Sequence, residues 1–101
     1  MAVVEITQEN YEAEVLQSKK PVLIDFWAGW CGPCQMLSPV VDEIGKERDD
    51  VKVCKVNVDQ QQGLAMQFRV MSIPTLLVMK DGEEVNRSVG LVSKDEILAL
   101  F

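Results

Sequence analysis

The chain contains no histidine. That absence removes Cys–His nucleophile pairs, Ser–His–Asp triads and every metal site built on imidazole. Any proton transfer is left to carboxylates, lysine, tyrosine, thiols or water. Long hydrophobic runs are missing too, and none approaches the roughly 18 residues of a membrane span. Basic residues are few. Ten Lys and Arg against 16 Asp and Glu give a net charge of −6 and a pI near 4.5, which argues against nucleic acid or an anionic membrane as a partner. The opening segment, Met1–Ile6, carries Glu5 and no basic stretch, unlike a secretory leader. Repeats, low-complexity tracts and linkers are absent. The three cysteines are an odd number and do not read as a secreted disulfide scaffold. A cytoplasmic, monomeric redox protein fits better. What remains is an ordinary globular composition, 48% apolar and 26% charged, and a length that suits one domain over residues 1–101.

Within that ordinary composition stands one unusual run, Trp30-Cys31-Gly32-Pro33-Cys34. Two cysteines three apart can sit one above the other on a first helical turn, which suits a reversible disulfide. The run follows the apolar stretch Val22–Trp27 and precedes a helical pattern, so both thiols fall near a strand-to-helix turn. A helix N-terminus stabilises a thiolate, the reactive form of cysteine. The motif reads as a dithiol for disulfide exchange. By itself a C-x-x-C is also half of many zinc sites, and only Cys54 remains as a further thiol in the chain.

The flanking pattern is α/β. Val3–Ile6 reads as a short edge strand. Thr7 caps a helix that buries Tyr11 and Val15. Val22–Trp27 is a central strand covered on both faces. Leu37, Val40, Val41 and Ile44 mark an amphipathic helix, with Pro39 expected to kink it against the Gln35 carbonyl. Val51–Val58 is a third strand, and Asp59 is placed to cap a short helix through Phe68. Thr75–Met79 is a fourth strand, turning at Asp81-Gly82 into Glu84–Val89. Ser93-Lys94-Asp95-Glu96 has the form of a capping box for a last helix. The order is βαβαβ followed by ββα, which predicts a central mixed five-stranded sheet with helices on both faces.

Across nearly its whole length the sequence resembles the thioredoxin family. The resemblance rests on Phe26-Trp27-Ala28, Trp30-Cys31-Gly32-Pro33-Cys34, Asp59, Ile73-Pro74-Thr75, Asp81-Gly82 and Val89-Gly90. It implies the thioredoxin fold and a general protein disulfide reductase without a bound cofactor. Its partners would be protein disulfide substrates and a flavoprotein thioredoxin reductase as electron donor. In this frame Cys31, at the helix start with its sulfur exposed, is the attacking thiolate. Cys34, one turn in and buried, is the resolving thiol. Gly32 and Pro33 keep the turn tight, and their identity resembles the reducing members of the family.

Asp25, a carboxylate inside an apolar strand, shares a face with Leu23 and Trp27 by alternation. Burial raises a carboxyl pKa, and the family resemblance makes it the proton acceptor or donor for Cys34. Lys55 stands at the matching family position and is expected to reach toward Asp25. The resemblance also gives Ile73–Pro74 a cis peptide bond facing the disulfide. Trp30, Gly32, Pro33, Ile73, Pro74, Val89 and Gly90 are expected to form a flat apolar patch that binds extended protein segments. Cys54 reads as a buried, inert thiol, and Met66, Met71 and Met79 read as core fillers. Three positions depart from the family pattern: Gly29 where an acidic residue is frequent, Gln35 where lysine is, and Ser72 where glycine is. The end at Phe101 leaves the last helix short.

Two other readings stay open at this level. One is a binding or scaffold subunit that uses the fold without redox turnover. The other is a zinc or iron–sulfur site shared between two chains. The intact Cys31, Cys34 and Asp25 set speaks against the scaffold, which has no need of a buried acid beneath its thiols.

Overall fold

A computed structural model describes residues 3–101. The first two residues of Met1–Ile6, the segment read as unlike a secretory leader, lie outside the described residues. Five strands make one sheet in the order β1-β3-β2-β4-β5, with β1 (Val4–Glu5), β2 (Val22–Trp27), β3 (Lys52–Asn57), β4 (Thr75–Lys80) and β5 (Glu83–Val89). β1, β3 and β2 pair in parallel, and β4 pairs antiparallel with both β2 and β5. The mixed sheet expected from βαβαβ then ββα is therefore the one observed.

Alternation along β2 explains how the sheet is covered twice. Val22, Ile24 and Phe26 project to one face, where Ile6, Tyr11, Val15, Val56, Leu64, Leu77 and Met79 join them. Leu23 projects to the other, with Leu37, Val41, Ile44, Val53, Leu76, Val78 and Ile97. A strand buried on both faces has to read as a continuous apolar run. The second face is covered by helix α1 (Gly32–Glu47) and α3 (Lys94–Leu98). The first is covered by a short π-helical segment, Glu12–Leu16, and by α2 (Gln62–Gln67). The wider winding of that segment shows in the bond from Gln17 N–H to the Glu12 carbonyl, 3.0 Å.

Local chemistry sets the element ends. Asn10 N–H donates to Thr7 Oγ1 (3.4 Å) and Thr7 N–H to Asn10 Oδ1 (2.8 Å), a reciprocal turn that leads into the Glu12–Leu16 segment, whose own N-cap, Tyr11, has no side-chain cap bond. Ser93 and Glu96 form the expected capping box on α3. Asp81 and Gly82 both have positive φ, 52° and 79°, the backbone that a two-residue hairpin turn requires. Helix α1 continues through Pro39 as one helix. Two capping expectations are corrected. Thr7 is not the N-cap of its helix, and Asp59 does not cap α2, whose N-cap is Gln61 with no side-chain bond. Instead Asn57 Oδ1 accepts from the amides of Asp59 (2.9 Å) and Gln60 (3.2 Å), and this turn frees the Asp59 carboxylate.

Candidate active site

The dithiol lies where β2 hands the chain to α1. Cys31 is the N-cap of α1, with extended backbone, and Pro33 lies in the first turn, where its missing N–H leaves no bond unmade. Cys31 and Cys34 are joined as a disulfide with Cα atoms 5.2 Å apart. The Cys34 amide donates to Cys31 Sγ at 3.2 Å. A sulfur therefore occupies the position that Ser or Asp usually fills at a helix start. The first-turn N–H groups that would hold a capping oxygen are available to a thiolate, together with the positive end of the helix dipole.

The expected contrast in exposure between the two thiols is small in the disulfide form. Cys34 is 2% exposed and Cys31 only 5%. The sulfur expected to stand exposed is mostly covered, because Ala28, Trp27, Val58 and Ile73 pack around the pair. Ile73 precedes a cis peptide bond to Pro74, and its carbonyl oxygen lies 3.9 Å from Cys31 Sγ. The Pro74 carbonyl faces the other way and accepts from Gly90 N–H at 2.8 Å. Gly90 has φ 98°, a backbone that favours glycine. The Gly90–Pro74 hydrogen bond ties the end of β5 to the Ile73–Pro74 corner, and the Ile73 carbonyl brings that corner beside the disulfide.

Around this corner lies the apolar surface. Trp30 is 72% exposed, and Val89 at the end of β5 is exposed as well. A groove of about 390 Å³ runs between Trp30, Val58, Val70, Met71, Ser72 and Ile73. The Trp30 indole N–H donates to Asp59 Oδ2 at 3.0 Å, which fixes the ring as one wall. That bond is what the freed Asp59 carboxylate does. Met71 and Met66 are corrections: both were expected in the core, and both are exposed, Met71 at 91%. Met79 alone of the three is buried. Gln35, where lysine is frequent, turns its amide back to the Gly29 carbonyl at 2.9 Å.

Beneath the helix lies Asp25, 1% exposed, with no hydrogen-bond partner for either carboxylate oxygen among the described residues. Its neighbours across the sheet are Lys55 on β3 and Leu76 on β4. Loss of hydration is the main cause that raises its pKa to about 7, with Lys55 opposing and Asp42 adding to the rise. The expected reach of Lys55 toward Asp25 is corrected by the structure. The Lys55 ammonium bonds Asp42 Oδ1 at 2.8 Å and Ser38 Oγ at 2.5 Å. Ser38 and Asp42 were missed, although a signal was present: Cys34, Ser38 and Asp42 recur every four residues, one stripe of a helix. A cavity of about 300 Å³ opens beside this stripe, lined by Glu5, Trp27, Cys34, Gln35, Ser38 and Lys55. On the opposite face Cys54 is fully buried, and desolvation pushes its thiol up to about 12, as an inert thiol requires.

The arrangement is a redox disulfide at a helix N-terminus, above a buried acid and beside a cis-proline. The family model of thioredoxin matches residues 2–101. This chain belongs to the thioredoxin family. It is 52% identical to thioredoxin 1 of Synechococcus elongatus over 90 residues, covering 88% of this chain and 84% of that one. It is 45% identical to a thioredoxin of Rickettsia felis, covering 92% of this chain and 90% of that one. With a Mycobacterium bovis thioredoxin it shares 48% identity, covering 96% and 84%. The thioredoxin family and the joined Cys31–Cys34 pair make the chain a protein thiol–disulfide oxidoreductase. The scaffold reading is not favoured. Among the described residues no helix is long and apolar enough to cross a membrane.

Proposed function

We propose that this protein reduces disulfides in other proteins, with Cys31 attacking and Cys34 resolving. The observation that carries the assignment is the Cys34 amide directed at Cys31 Sγ across the first turn of α1. In the reduced protein the same amide and the helix dipole favour the Cys31 thiolate. That thiolate attacks one sulfur of a substrate disulfide. A mixed disulfide forms, and the first substrate thiolate leaves and takes a proton from solvent. Cys34 then loses its proton to Asp25 and attacks Cys31 Sγ. The Cys31–Cys34 disulfide forms, and the second substrate thiolate leaves with a proton. The substrate gains two electrons and the protein loses two.

Support for Asp25 as proton acceptor comes from its burial below α1 without a partner and from a pKa near neutrality, where a general base works best. Lys55 is assigned an electrostatic role, since its charge favours the ionised carboxylate. Pro74 and Ile73 are assigned to seat the substrate backbone. Trp30, Gly32, Pro33, Val89 and Gly90 are assigned to the docking face around it. A flavoprotein reductase is the proposed electron donor, and no bound cofactor is needed for the exchange itself. We take residues 1–101 as a single domain and as a monomer, supported by one sheet on which every helix packs. The cytoplasm is the proposed location, supported by Cys54 standing as a free, buried thiol.

The test is insulin reduction with a dithiol donor, wild type against Cys31→Ser. Wild type is expected to precipitate the insulin B chain and the variant to lack activity. Equal rates for the two proteins overturn the assignment.

A further inference from the structure

The edge strand β5 carries an irregularity that the redox chemistry does not use. Its pairing with β4 runs Thr75↔Val89, Leu76↔Ser88, Leu77↔Arg87 and Val78↔Asn86, then resumes at Met79↔Glu84. Val85 is the extra residue, a β-bulge. In a regular strand residues three apart point to opposite faces. Here the bulge restores Glu84 and Arg87 to one face, that of their partners Met79 and Leu77, which lie in a single core cluster. Asn86 faces the other way and bonds the Leu100 carbonyl at 3.3 Å. On their shared face Glu84 grips Arg87 with two bonds, Nε to Oε2 at 2.8 Å and Nη2 to Oε1 at 2.9 Å.

The guanidinium held in this way reaches the end of α2. Arg87 Nη2 donates to the Phe68 carbonyl at 2.7 Å and Nη1 to the Arg69 carbonyl at 3.4 Å. These carbonyls belong to the exit of the helix. The α2 terminus closes with Val70 N–H on Ala65 O (2.9 Å) and Arg69 N–H on Met66 O (3.1 Å), around Arg69 at φ 55°. That is the Schellman arrangement, with arginine where glycine is usual. It satisfies the Ala65 and Met66 carbonyls, and Arg87 takes those of Phe68 and Arg69 farther along. The chain that leaves this cap is Val70-Met71-Ser72-Ile73, one wall of the groove opposite Trp30. Its far end is tied by the Thr75 hydroxyl, which donates to the Ser72 carbonyl at 2.6 Å.

We propose that Glu84 and Arg87, brought together by the Val85 bulge, are positioning residues that set the Phe68–Ile73 wall of the docking groove and so govern affinity for protein substrates. The clamp touches neither sulfur. The inference rests on the function proposed above, because it assigns that groove to an extended polypeptide segment.

The test compares full-length wild type with Arg87→Met, Arg87→Lys and Glu84→Gln. The first readout is amide hydrogen exchange at Val70–Ile73, which needs no turnover. A hydrogen bond from a charged group is worth roughly tenfold in an equilibrium, so Arg87→Met is expected to speed exchange in this segment by about that factor while β2 keeps its wild-type protection. The second readout is kinetic. For insulin the KM is expected to rise several-fold with kcat unchanged, and the rate with a small aromatic disulfide is expected to stay at the wild-type value. Arg87→Lys keeps one donor and is expected to fall between. Unchanged exchange at Val70–Ile73 overturns the clamp, as does an equal loss on insulin and on the small disulfide. Should Arg87→Met fail to fold, Glu84→Gln is read the same way. If wild type itself leaves insulin intact, the functional reading fails, and the exchange experiment still decides the clamp.

Discussion

Asp25 and Lys55 are directly opposite one another in the β2–β3 ladder, yet they make no hydrogen bond. The Lys55 ammonium is bound to Ser38 and Asp42 on α1 instead. Its charge remains close enough to pull the Asp25 pKa down, without overcoming the cost of burying the carboxylate. Buried with no hydrogen-bond partner, the carboxyl has its pKa raised to about 7. A direct ion pair with Lys55 would have held it ionised.

Replacing this acid is expected to separate stability from activity. The folded pKa of about 7 stands above the ordinary 3.8, so the native state binds a proton more tightly than the unfolded chain. The stability that this group contributes is complete below pH ~3.8 and declines as pH rises through about 7. At about 1.4 kcal/mol per pKa unit, the full loss is on the order of 4 kcal/mol. Asp25→Asn is expected to flatten this part of the pH–stability curve and to be more stable than wild type at pH 8 in urea unfolding. It is also expected to resolve mixed disulfides more slowly. A variant less stable at pH 8 would remove the buried charge from this account.

The two charges beside Asp25 are expected to move its titration in opposite directions. Lys55 lowers its pKa and Asp42 raises it. Lys55→Met is therefore expected to shift the Asp25 carboxyl midpoint upward, and Asp42→Asn downward. Carboxyl chemical shifts followed against pH measure both. Movement in the same direction for the two variants contradicts the assigned geometry.

The thiols are expected to differ once reduced. Cys31 caps the helix and receives the Cys34 amide, so iodoacetamide is expected to alkylate Cys31 much faster than Cys34 at neutral pH. Cys34→Ser is expected to trap mixed disulfides with substrate proteins, and Cys31→Ser to trap none. Trapping by the opposite variant would exchange the two roles.

Ser93→Ala removes the Oγ that accepts from the Glu96 amide on α3, and leaves the bond from the backbone N–H of residue 93 to the Glu96 carboxylate. The expected cost is about 1 kcal/mol, the usual value of a lost N-cap, read as a lower urea midpoint with an unchanged slope. Insulin reduction is expected to persist, because α3 packs on the sheet through Ile97 and carries no site residue.

Much of the molecule was legible because its signals are local. The continuous apolar run of β2, the positive-φ pair Asp81-Gly82, the Ser93–Glu96 box and the strand-to-helix position of Cys31 each follow from a few neighbouring residues. Met66 and Met71 were misread for a general reason. Apolar residues in the core are the rule, but the surface is also largely apolar, so hydrophobicity alone does not assign burial. Asp59 was misread because Asn57, two residues earlier, offers the turn a closer acceptor.

The sequence by itself determined the βαβαβ–ββα order, the helix-capping sulfur and the apolar strand that encloses a carboxylate. These depend on spacing along the chain, where periodicity and turn chemistry act. The tertiary structure alone decided where long side chains end. Lys55 faces Asp25 in register but reaches α1, and Arg87 leaves an edge strand to hold the end of α2. Such side chains reach through several free torsions, and these partners on other elements lie 13 to 19 residues away in sequence. Only packing, and in the case of Arg87 a single bulged residue, selects among the carbonyls and carboxylates within reach.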